Sequence, residues 1–108
     1  MNEDQFDAPL ELIEVNVKIT SEGYEVDKPT VCIKRPTAIS WTIEPGSDAY
    51  FETQNPISTD KVEIKVIGCN RRTLVVTALY KARQHPIPYD LVIGGIPQGR
   101  PNPIIENE

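Results

Sequence analysis

Ten prolines, spread from Pro9 to Pro103, cut this chain of 108 residues into short pieces, and that spacing restricts its fold more than any other feature. A proline inside a helix removes a backbone donor and clashes with the preceding turn. The longest proline-free run, Ile57 to His85, is crowded with β-branched residues, which are stiff at χ1 and favour an extended backbone. Long helices have little room, and short strands are expected throughout.

The clearest of these strands is Ala38 to Pro45. Ile39, Trp41 and Ile43 fall on one side of it and small or polar residues on the other, the period of two that an extended chain imposes. Its Trp, the single one in the chain, suits the space between two sheets, so this is expected to be the central strand. Pro45-Gly46 stops it.

Residues 1–9 are polar and acidic and read as a mobile lead-in; residues 10–108 read as one domain with its C-terminal tail. Leu10 to Thr20 alternates Ile13, Val15, Val17 and Ile19 with polar partners. Tyr24 to Asp27 reads as an edge strand after a Ser21-Glu22-Gly23 turn, and Thr30 to Lys34 as the next strand. Ala49 to Thr53 follows the Trp strand. Lys61 to Ile67 places Val62, Ile64 and Val66 inward, and Gly68 to Arg72 then turns the chain. A bulge at Gly68 would switch Cys69 to the core face. For Thr73 to Ala82 a helical face competes, but Val75-Val76-Thr77 and the preceding turn favour a strand. Gln84 to Pro88 is an extended break, Tyr89 to Ile93 a strand, Gly94 to Pro103 a loop, and Ile104-Ile105 a last short strand. Turn signals roughly every 8 to 12 residues predict an all-β fold, an antiparallel immunoglobulin-like β-sandwich of seven or eight short strands.

The net charge of −5 is concentrated at the ends. Residues 1–14 hold five acids and no base, whereas residues 15–105 hold nine acids against all eleven bases. A nearly neutral body argues against a nucleic-acid partner, which calls for a concentrated basic face. No signal peptide and no apolar run long enough to span a bilayer can be read, so the expectation is a soluble cytoplasmic protein that keeps Cys32 and Cys69 reduced.

Chemistry is limited by inventory. Cys32, Trp41 and Cys69 follow the Cys, Trp, Cys order of immunoglobulin domains, yet the second spacing is short for that disulfide. With one His, and its only Met at the start, the chain lacks type 1 copper ligands, and it has too few Cys and His for structural zinc. Asp48, Glu52 and Asp60 have no calcium-loop spacing and read as solvated surface. Gly94-Gly95 lacks the helix and the Lys of a phosphate loop. A catalytic Cys69 would need His85 as its base, and His85 sits in a Pro-flanked loop typical of exposed histidines. No catalytic, cofactor or metal residue is therefore assigned, and the chain is expected not to be an enzyme. Arg71, Arg72, Arg83 and His85 could converge as an anion or small-ligand patch; the blander reading is charged strand ends and turn tips. The leading expectation is a protein-interaction or structural module, self-associating through edge strands or its C-terminal tail, with no membrane or nucleic-acid partner.

The Trp strand ending in Glu44-Pro45, Tyr89-Asp90-Leu91-Val92-Ile93, and the tail Asn102-Pro103-Ile104-Ile105 resemble the small bacterial DP-EP family and, more loosely, cupredoxin-like and immunoglobulin-like sandwiches. The resemblance spans roughly residues 10 to 108 and implies a fold without an activity. The chain departs from the family pattern in carrying Asn102-Pro103 where Asp-Pro is expected. Cys69 is followed by Asn70-Arg71-Arg72-Thr73 with no His among them, so a cupredoxin-like fold here would lack its copper site.

Overall fold

A computed structural model describes residues 11–59, 64–79, 86–97 and 103–107. The lead-in of residues 1–9, Val62, Arg83 and His85 lie outside the described residues. All regular structure within them is β. Strand β1 (Glu11–Thr20), β2 (Gly23–Val26), β4 (Thr37–Ile43), β7 (Ile64–Cys69) and β8 (Thr73–Ala78) form one five-stranded sheet in the order β2-β1-β4-β8-β7. The Trp strand is its middle strand, as expected.

Register puts the apolar positions of these strands on a common face. Val15 lies opposite Trp41 and Trp41 opposite Leu74; one step along, Ile13, Ile39 and Val76 are aligned. Trp41, Leu74 and Val76 are fully buried. Because side chains alternate across a strand, one correct register sends every second residue into the core at once.

Three smaller ladders complete the chain. Strand β3 (Thr30–Ile33), β12 (Ile104–Asn107) and β9 (Ile87–Pro88) form a sheet in that order, β6 (Ile57–Ser58) pairs with β10 (Asp90–Leu91), and β5 (Tyr50–Phe51) pairs with β11 (Ile93–Gly94). A single hydrophobic cluster joins side chains of the large sheet to Val31, Ile33, Phe51, Ile57, Ile87, Leu91, Ile93 and Ile105 from these ladders.

Several expectations are corrected here. Not every pairing is antiparallel: β1 runs parallel to β4, and β3 parallel to β12. Residues 21–36, carrying β2 and β3, return the chain to its starting end without any helix and so supply the long crossover that a parallel pair needs. Strand pieces also exceed seven or eight, reaching twelve among the described residues. Tyr89 to Ile93 is not one strand, because Asp90–Leu91 pairs with β6 while Ile93–Gly94 pairs with β5. Val92 bridges the switch, donating its N–H to Pro56 O and accepting from Glu52 N. Ile87–Pro88, expected as a break, is a short strand.

The bulge is present. The β7–β8 register shifts between Val66 and Gly68, so Gly68 faces Val75 and Cys69 faces Leu74, on the core side. Cys69 is half-buried and packs against the core, and burial pushes its thiol pKa up. Cys32 is exposed on β3, and neither cysteine is in a disulfide. Val66, expected inside, points to the core face but sits on the sheet's edge strand and remains exposed.

Candidate functional site

The turn between β7 and β8 carries the two arginines of the expected cationic patch. Asn70 organises it: its Oδ1 accepts from the backbone N–H of Arg72 and of Thr73, both at 2.8 Å, and its own N–H donates to Thr73 O. An Asx turn of this kind lets a polar side chain stand in for a backbone partner.

From this turn the neighbouring arginines take different tasks. The Arg72 guanidinium donates through Nη1 to Ser47 O (2.5 Å) and Ala49 O (2.8 Å), and through Nη2 to Glu44 O (2.5 Å). It pins the loop that follows the Trp strand, where Gly46 has a φ of 89°. Arg71 lies over the Tyr50 ring, 4.5 Å from its centroid, in a cation–π contact. Tyr50 in turn covers Gly94, where an added Cβ would come within 2.4 Å of the ring. So Arg72 is committed to carbonyl oxygens and Arg71 to an aromatic face. The remaining two members of the expected patch, Arg83 and His85, lie outside the described residues, and the described pair forms no convergent anion site.

Among the described residues the buried titratable groups are phenols. Tyr24 Oη accepts from Leu91 N at 2.8 Å, and its pKa is pushed up to about 12 by burial, opposed by that bond and reinforced by the nearby Asp90 charge. Tyr89 is raised as well, chiefly by burial, and receives the Trp41 indole N–H. Phenols held neutral this firmly tie the core together and do not exchange protons near neutral pH. Among the described residues no group of three or more His, Cys, Asp or Glu is gathered for a metal ion.

A cleft of about 280 Å³ lies along β1 and β2, lined by Asn16, Val17, Lys18, Glu25, Val26, Asp27 and Glu44. That is at the lower limit for a small-molecule site. Its carboxylates also have structural duties. Glu44 Oε2 accepts from Ile19 N at 2.6 Å, taking over where β4 ends beside the longer β1. Asp27 accepts from Asn16 N and Nδ2 and pairs with Lys28 at 3.7 Å; burial raises its pKa, but these partners outweigh it and hold the carboxyl below its ordinary value. A second hollow, at the turn of residues 52–55, is lined by Glu52, Thr53, Gln54, Asn55 and Val92 and gathers no opposing charges.

The surface feature that stands apart is apolar. On edge strand β7, Val66 is 44% exposed and Ile67 60% exposed. Ile67 is the extra residue of the bulge, so its side chain has no cross-strand partner. Among the described residues β7 is bonded on one side only, to β8. The sequence signal was the adjacent pair Val66-Ile67, which breaks the alternation immediately before Gly68.

No family model matches this chain, and neither a curated protein nor a solved structure does. No helix among the described residues is long and apolar enough to cross a membrane.

Proposed function

We propose that this chain is a non-enzymatic interaction module that self-associates through the β7 edge of its five-stranded sheet. The observation that carries the reading is the exposed pair Val66 and Ile67 on a strand with one side unpaired among the described residues. An edge strand offers unpaired N–H and C=O groups, and burying two large aliphatic side chains beside it favours contact by about 1.5–3 kcal/mol each when complete. The partner is a second copy, related by a two-fold axis that sets Val66 against Val66, because one patch can then serve both sides. The near neutrality of residues 15–105 keeps charge repulsion between copies small. Lys65 and the bulge blunt a long continuous ladder, so the contact is short and side-chain dominated.

An immunoglobulin-like sandwich belongs to the same proposal, supported by one core shared between the large sheet and the smaller ladders. The resemblance to the DP-EP family brings no activity with it. The alternative of an anion or small-ligand binder gains nothing from Arg71 and Arg72, whose cations face Tyr50 and backbone carbonyls. Light scattering across a concentration series tests the reading. A dimer that becomes monomeric in Ile67→Lys supports it, and a wild-type chain that stays monomeric at the highest concentration reached overturns it.

A further inference from the structure

Strand β12 occupies an unusual place. It is the central strand of its sheet, parallel to β3 on one side and antiparallel to β9 on the other, and among the described residues β3 and β9 pair with no other strand. Neighbouring strands lie about 4.8 Å apart, so without β12 two strand edges would face each other across roughly 10 Å, a slot one strand wide. The slot has an apolar floor. Ile105 is fully buried, and its register partners Val31 and Ile87 are buried beside it. Ile104 N donates to Pro29 O and Pro103 O accepts from Tyr89 N, which anchors the incoming end.

The hold on β12 is nevertheless short. It spans only Ile104–Asn107 and follows every other described element in chain order, and its departure would leave β3 and β9 without a ladder partner among the described residues, edges that a second strand of the same sequence would fill. Short segments of a fold open locally at a lower free energy than the whole fold does.

We propose that the slot between β3 and β9 is an interaction site for the Pro103–Asn107 segment of a second copy, so that two chains can exchange β12. Every contact the strand makes within its own chain is available unchanged to the same strand of a neighbour. An intramolecular strand competes at an effective concentration on the order of millimolar, so the closed monomer prevails at micromolar protein and exchange grows as protein approaches millimolar. This site is separate from the β7 edge.

Register supplies the test. Glu106 lies directly opposite Cys32, and adjacent strands hold such residues about 5 Å apart, within reach of a disulfide. Glu106→Cys in the full chain, with Cys69→Ser to remove the other thiol, is incubated under native conditions from micromolar to millimolar protein, then oxidised and sized under denaturing, non-reducing conditions. An intramolecular bridge at low concentration giving way to a covalent dimer as concentration rises, approaching half of the chains near millimolar, is expected. Intramolecular bridges at every concentration overturn the proposal, as does a dimer equally abundant when Glu106 is retained. Adding Ile67→Lys separates the two surfaces, since it abolishes β7 association and leaves strand exchange intact. Hydrogen exchange on the unaltered chain gives a reading that needs no variant to fold: the Ile105 and Asn107 amides are expected to exchange at least tenfold faster than that of Trp41, and equal protection overturns the proposal.

Discussion

Trp41 and Tyr89 meet in the middle of the core, the indole Nε1 donating to the phenolic oxygen at 3.1 Å and the two rings crossing edge to face with centroids 5.2 Å apart. Both side chains are buried, one on the central strand of the large sheet and the other between β9 and β10. The contact ties the five-stranded sheet to the smaller ladders through one polar bond inside an apolar cluster.

Tyr89→Phe keeps the ring and removes the acceptor, leaving the Trp41 N–H buried without it. A buried donor stranded in this way costs about 1–3 kcal/mol. Urea unfolding should show that loss at unchanged m-value, and a loss under 0.5 kcal/mol would mean that the bond contributes little.

Arg72→Ala removes three bonds to the carbonyls of Glu44, Ser47 and Ala49. Hydrogen bonds to charged groups contribute about 1.5–3 kcal/mol each, and partial hydration of the freed carbonyls offsets part of the sum, so a loss of about 3 kcal/mol is expected. Arg72→Lys should recover less than half of it, because a single ammonium cannot reproduce the planar fork. Equal stability of the Lys variant and wild type would contradict the clamp.

Gly94→Ala drives a methyl group into the Tyr50 ring. The ring is half-buried and can swing outward at the expense of its contact with Arg71, so a loss of about 1 kcal/mol is expected. In a Tyr50→Ala background the same substitution should be nearly neutral. A thermal-unfolding double-mutant cycle reads the coupling, and additive losses would exclude it.

Stability should decline in alkali. Tyrosine in the unfolded chain titrates near pH 10, whereas folded Tyr24 holds its proton to about 12 and Tyr89 is raised as well. Their contribution is complete below about pH 10 and is lost as pH rises through the folded values, because the unfolded state then binds fewer protons. Tyr24→Phe should start from a lower plateau and fall less steeply above pH 10. Denaturant midpoints measured from pH 8 to pH 12 decide the matter; parallel curves would remove Tyr24 as a cause.

The facing of side chains was legible in the sequence wherever one strand has one buried face. Ile39, Trp41 and Ile43, and likewise Val15 and Val17, could be placed inside from a period of two alone. The Gly68 bulge was legible too, since a glycine at the end of an alternating run permits it. Val66 was misplaced because alternation reports which face a residue takes and not whether another strand lies beside it to cover that face. Arg71 and Arg72 read alike as turn residues, and their separate duties depend on Tyr50 and on carbonyls at residues 44–49.

Pattern and proline spacing by themselves determined that this protein is built of short strands around a Trp-centred sheet, because side-chain direction and backbone stiffness are local properties. Only the tertiary structure decided that β1 and β4 run parallel, that Tyr89 to Ile93 divides between two partners, and that β12 fills the gap between β3 and β9. Strand direction and neighbour choice follow from how distant segments share one core, and residues next to each other in the chain carry no record of that.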